Sequence, residues 1–131
     1  MIMLLVALAG GLGAVARFVV DAAIARRASS RLPIGTLTIN VTGSLLLGFL
    51  AGWVAFGAGT GLSHDVRTVV GTGFCGGYTT FSTVSVETVR LVQEHRILAA
   101  AANALGTLVL CVALAWVGYA ATSSMMSPIG L

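Results

Sequence analysis

Long apolar runs alternate with short polar interruptions four times along the 131 residues of this chain. A membrane-crossing helix needs about 20 largely apolar residues, and the runs near 2–24, 35–57, 66–90 and 97–121 are long enough. The connections are short, so the pattern predicts one all-α membrane domain over 1–131 with four spans. Polar positions inside the runs are ordered. Thr36, Asn40 and Ser44 fall at i, i+4 and i+8, so they share one face of the second predicted helix, while Thr38 and Thr42 fall on others. Asn103, Thr107 and Cys111 repeat that spacing in the fourth run. The third run is irregular: Gly71-Thr72-Gly73-Phe74-Cys75-Gly76-Gly77-Tyr78-Thr79-Thr80-Phe81-Ser82-Thr83 puts glycines and hydroxyls at its middle. Gly76-Gly77 frees the backbone from helical geometry, and Thr79 and Thr80 are suited to capping a restarted helix. Lipid tolerates irregular backbone only where protein or a water-filled cavity satisfies it, and broken helices near the bilayer centre build ion sites. The pattern therefore points to transport.

Composition sharpens this reading. The chain is 57% hydrophobic and 8% charged, with a mean hydropathy of +1.01, whereas soluble domains are about a quarter charged. The first run holds Gly10, Gly11, Gly13 and Arg17 and has no basic leader, which is not the pattern of a cleaved signal peptide. Four short helices enclose neither a wide pore nor a large pocket, so a dimer is expected. Gly48 and Gly52 form a small-xxx-small pair that suits close helix packing, within or between subunits. Cys75 and Cys111 both lie in predicted spans and read as small buried hydrophobes, not a disulfide. Metal-ligand clusters are not evident, His64 and His95 fall in predicted loops, and no nucleophile–base pair lies in a span, which argues against an enzyme. The net charge of +3 is spread out, so nucleic acid is not an expected partner.

All seven basic residues are arginine. Arg26, Arg27 and Arg31 lie in or beside the first loop and Arg90 and Arg96 flank the third, five residues against Arg67 alone on the opposite side. The positive-inside rule then places loops one and three in the cytoplasm and both termini outside. Arg17 lies within the first span, where a central charge costs about 2.5–3.5 kcal/mol on the insertion scale. Asp21 is four residues on, at ion-pair spacing. A structural Arg17–Asp21 pair and a positive vestibule that concentrates anions are both open readings.

Asn40 carries two N–H donors and no charge. In hydrocarbon it needs a partner, which is either another helix or a desolvating anion. Two facing donor stripes would make a track without fixed charge, suited to a small ion held weakly enough to leave. Cys111 is a weak donor, so the fourth-helix stripe fades towards its end. Unpaired carbonyls at the break would suit a small hard cation. Beyond it run Phe81, Val84, Ser85 and Thr88, with Glu87 nearby. A phenyl edge can face an anion, although ordinary packing is the simpler reading of a lone Phe81.

These residues resemble a known family. Gly10-Gly11-Leu12-Gly13-Ala14 with Arg17-Phe18, Gly35-Thr36, Asn40-Val41-Thr42-Gly43-Ser44, and Gly73-Phe74-Cys75-Gly76-Gly77-Tyr78-Thr79-Thr80-Phe81-Ser82-Thr83 with Glu87 are similar to the Fluc (CrcB-type) fluoride channels. The likeness covers the first three helices in order; the third motif is specific and the glycine motif of the first is weak by itself. The resemblance implies a passive, selective fluoride channel that confers fluoride resistance from the bacterial inner membrane. It implies an antiparallel dimer with two pores, and a structural sodium ion held where the two third-helix breaks cross. Gly76 and Thr79 would bind that ion through backbone carbonyls from both subunits. Asn40 matches the pore asparagine and Phe81 the first of two pore phenylalanines. Thr36, Ser44, Asn103, Thr107 and Cys111 fall along the polar track, and Arg17 matches a vestibule arginine, with Glu87 a second structural charge.

Two departures stand out. The second pore phenylalanine would fall at Val84, which has no ring. The arginine imbalance disfavours a subunit that inserts both ways and pairs with itself. Together they make a heterodimer with a differently oriented homologue the alternative to an antiparallel homodimer. A non-conducting assembly subunit is a further variant. The main rival class is a small proton-coupled drug or guanidinium exporter, also a four-span dimer. Such exporters need a carboxylate embedded in the first helix, and Asp21, near the end of that span beside Arg17, fits poorly.

Overall fold

A computed structural model describes residues 1–27, 33–56 and 64–126. The described residues form helices and no strand. The elements are α1 (Ile2–Arg27), α2 (Ile34–Phe56), α3 (His64–Arg67), a π-helical segment (Thr68–Cys75), α4 (Gly76–Tyr78), α5 (Phe81–Gln93) and α6 (Ile97–Met126). Arg31 of the predicted first loop and position 57 of the predicted second span lie outside the described residues. His64, expected in a loop, opens the short helix α3, while His95 sits in the turn after α5 with φ 58°.

Three of these helices are long and apolar enough to cross a membrane: Ile2–Arg27, Ile34–Ala55 and Ile97–Met126. The predicted run 66–90 is a series instead. It passes through α3, the π segment and α4, leaves helical geometry at Thr79 and Thr80, and restarts as α5. Gly76 and Gly77 are themselves helical. Glycine permits departure from the helix but does not compel it; the interruption falls where a neighbouring helix captures the backbone.

Packing depends on backbones that approach closely. A Cβ at Gly48 would run into the carbonyl of Ala115, and one at Gly118 into that of Leu45, so α2 and α6 lie against each other almost without intervening side chains. The Gly48/Gly52 pair is thus used within the subunit, as small residues are in membrane helix packing. On the other side of the bundle, a Cβ at Gly13 would strike the Phe74 carbonyl, and one at Gly77 the Gly10 carbonyl. These contacts seat α1 on the π segment and α4.

The buried apolar core is small, formed by Ile39, Cys75, Val84, Leu91 and Ala100. Outside it, Leu4, Leu8, Leu12 and Phe18 of α1 and Leu105, Leu108, Val112 and Trp116 of α6 are exposed. Helices that are apolar on nearly all sides belong in lipid or against another subunit.

Candidate functional site: the interrupted helix and its groove

The interruption is held by side chains from two other helices. Asn40 of α2 donates from Nδ2 to the Thr80 carbonyl at 2.8 Å and accepts the Thr80 N–H on Oδ1 at 2.7 Å. Both partners are buried. In a continuous helix the Thr80 N–H would bond the Gly76 carbonyl four residues back; the amide diverts it. Thr79 and Thr80 are accordingly extended, with φ/ψ of −78°/160° and −149°/123°. Thr80 is then the N-cap of α5, its Oγ1 accepting the Thr83 N–H at 3.2 Å. Thr79 closes the preceding helix instead: its N–H and its hydroxyl both donate to the Cys75 carbonyl, each at 2.9 Å. Arg17 reaches across from α1, its Nη1 lying 3.5 Å from the Thr79 carbonyl.

Arg17 therefore does not pair with Asp21. Among the described residues, the ion pairs are His64–Asp65 at 3.9 Å and Arg96–Glu94 at 3.6 Å. The part-buried Thr79 carbonyl, which has no helical N–H donor, attracts the guanidinium, and the Asp21 carboxylate packs against Gly35, where a Cβ would strike it.

Beside the interruption runs a groove of about 260 Å³ between α2, α5 and α6. Its polar lining comes from Asn40, Ser44, Thr79, Thr80, Thr107 and Cys111, and its apolar lining includes Leu47, Phe81, Val84 and Leu108. Among the described residues the lining has no charged side chain. Phe81 stands at the edge, 86% exposed, whereas Val84 is buried in the wall. Asn40, Ser44, Phe81, Thr107 and Cys111, singled out by spacing or by resemblance, thus meet on one surface.

The other residues of the expected track lie elsewhere. Thr36 is buried and its hydroxyl donates to Glu87 Oε1 at 2.6 Å. The second Glu87 oxygen is buried without a hydrogen-bond partner among the described residues. Asn103 lines a neighbouring hollow of about 150 Å³ together with Pro33, Leu37 and Gly106. Its Nδ2 donates to Thr88 Oγ1 at 3.0 Å and lies 3.4 Å from the Val84 carbonyl, so this amide ties α6 to α5. Thr107 lines both hollows.

Sequence reasoning did not anticipate two features. One is the Tyr78–Thr42 hydroxyl contact of 3.0 Å, on a face of α2 away from the Asn40 stripe; a threonine two residues off the stripe carries no local signal of it. The other is the π-helical geometry of Thr68–Cys75, a form often found at functional sites.

Comparison with known proteins gives one answer. The family model described as CrcB-like protein, Camphor Resistance (CrcB), matches residues 4–119. A protein named fluoride-specific ion channel FluC 1, from Leifsonia xyli subsp. xyli, is 48% identical over 118 residues, covering 90% of this chain and 84% of its own. Fluoride-specific ion channel FluC 2 from Mycolicibacterium paratuberculosis is 50% identical over 113 residues, 86% of this chain and 87% of the relative. A FluC 2 from Cutibacterium acnes is 58% identical over 90 residues, 69% of this chain and 72% of the relative. The likeness runs from α1 into α6 and passes through the interruption that Asn40 holds open. This chain is a multi-pass membrane protein of the CrcB family.

Proposed function

We propose that this chain is the subunit of a fluoride-specific channel that lets cytoplasmic fluoride leave passively and so confers fluoride resistance. The observation that carries the reading is the uncharged groove of amide, hydroxyl and thiol groups at the helix interruption. Fluoride is small and strongly hydrated, so a pore must replace its water shell with dense donors, as carbonyls do for potassium in its channels. Ser44, Thr107 and the remaining N–H of Asn40 supply such donors. None carries the full charge that would trap the ion. The Phe81 ring, exposed at the groove's edge, can present its positive edge to an anion. The relatives' names point the same way, and a channel needs no catalytic group.

The exposed Phe81, the exposed Gly76 and the open side of the groove support an antiparallel dimer with two pores, each completed by the second subunit. In this reading the third segment spans the membrane as a broken helix, giving four spans. A structural sodium ion fits the interruption. The Gly76 and Thr79 carbonyls have each lost the N–H donor four residues ahead, since Thr80 N–H goes to Asn40 and Thr83 N–H to the Thr80 hydroxyl; the Thr79 carbonyl also faces the Arg17 guanidinium at 3.5 Å, which a cation there would have to share or displace. Such hard oxygens suit a small cation, whose charge would offset carbonyl dipoles converging from two subunits.

A second arrangement, a heterodimer with an oppositely oriented homologue, is favoured by the arginine imbalance and by Val84 in the groove wall. Fluoride efflux from liposomes containing only this purified protein, compared with chloride, tests the function. Rapid fluoride-selective efflux is expected of a self-sufficient channel. Silence from folded protein, with efflux restored by a co-expressed homologue, would establish the heterodimer. Silence in both cases would defeat the reading.

A further inference from the structure

The groove at the interruption is flanked by two hollows, each sharing one lining residue with it. Thr107 lines both it and the Asn103 hollow on one side. On the other, Leu47 lines both the groove and a hollow of about 450 Å³ between the later half of α2 and the start of the π segment. Arg67, Thr68 and Thr72 form the polar wall of that third hollow. The three hollows follow one another by shared lining residues, and among the described residues Arg67 is the one charged side chain in their linings.

Arg67 is exposed and forms no ion pair among the described residues. The nearby acid, Asp65, faces His64 at 3.9 Å, and positions 57–63 contribute no acidic residue. The Thr68 hydroxyl is committed to the His64 carbonyl at 2.9 Å. Among the described residues the guanidinium thus has no carboxylate partner, beside hollows whose other described lining residues are neutral.

We propose that Arg67 is an electrostatic steering residue in that third hollow, raising the local concentration of fluoride entering or leaving the path without binding it tightly. The inference rests on the fluoride-channel reading. Low-dielectric walls focus the field of such a charge along a cleft and raise local counter-ion concentration. Steering of this kind is screened by salt: the Debye length falls from about 30 Å at 0.01 M to about 3 Å at 1 M. The same charge could instead hold a lipid phosphate, but its hollow shares the Leu47 wall with the groove, and the experiment separates the two.

Purified wild type, Arg67→Gln, Arg67→Lys and the remote control Arg27→Gln are reconstituted in phosphatidylcholine vesicles, and fluoride efflux is read at about 0.01 M and about 1 M ionic strength. At low salt Arg67→Gln is expected to be about two- to fourfold slower, the effect of one unit charge some 5–8 Å away in water. Arg67→Lys and Arg27→Gln should match wild type, and the deficit should vanish at high salt. Equal rates at low salt would overturn the proposal, and so would a deficit that persists at high salt. A deficit seen only when the vesicles contain phosphatidylglycerol would assign Arg67 to a lipid headgroup and also overturn it. A wild type that carries no fluoride, alone or with a homologue, would overturn both this proposal and the channel reading.

Discussion

Asn40 shows how one amide serves two ends. Its oxygen and one of its N–H groups are committed to the Thr80 peptide, and the second N–H is left for the groove. Asn40→Ala removes both interhelical bonds, each worth about 0.6–2 kcal/mol in membrane proteins, and leaves the buried Thr80 peptide unpaired. We expect it to lower stability by about 1–4 kcal/mol from those two bonds, read as a shifted midpoint in a detergent unfolding titration, and to abolish fluoride efflux. A variant as stable as wild type would show that the clamp is dispensable. Thr36→Val tests a different residue. It removes the hydroxyl bond that holds Glu87 without touching the groove lining, so it should cost about 1 kcal/mol of stability and slow efflux less than Asn40→Ala does.

Among the elements, the interrupted segment depends on two neighbouring glycines in opposite ways. A Cβ at Gly77 would collide with the Gly10 backbone of α1, whereas one at Gly76 meets nothing within 4 Å in the subunit. Gly77→Ala should therefore displace α1 and reduce the yield of folded protein sharply, because the obstructing atom is backbone and has no rotamer to yield. Gly76→Ala should leave the subunit fold intact. If the breaks of two subunits cross there, it should weaken association instead, visible as a shift toward monomer in detergent size-exclusion chromatography. Identical behaviour of the two variants would argue against this division of labour. Gly48 and Gly118 play the Gly77 part for α2 and α6.

For the whole molecule, a small core surrounded by exposed leucines, valines and aromatics marks a chain whose outer surface lipid or another chain must cover. Lipid covers such a surface without specificity, but lipid cannot complete a groove lined by hydroxyls and an amide. The arginine distribution gives a separate whole-molecule test. With Arg26, Arg27, Arg31, Arg90 and Arg96 opposing Arg67, the chain expressed alone should insert predominantly one way, with loops one and three in the cytoplasm. Labelling of single cysteines placed in those loops by a membrane-impermeant reagent reads this directly. Equal labelling from both sides would show dual insertion and favour the homodimer.

Much of this was legible in the sequence because it is local. Run lengths near that of a bilayer gave the helices, a period of four placed Asn40 and Ser44 on one face, and a threonine before a polar turn marked Thr80 as a cap. The family resemblance rested on motifs of the same local kind. Tertiary structure decided what depends on partners distant along the chain. The helix opens at Thr79 and Thr80, not at the glycine pair, because Asn40 lies 40 residues from the peptide it captures. Arg17 turns from Asp21, four residues away, to a carbonyl 62 residues away. Spacing along one helix can show which groups need hydrogen-bond partners; only the packing of several helices decides which groups meet, and which donors remain for an ion.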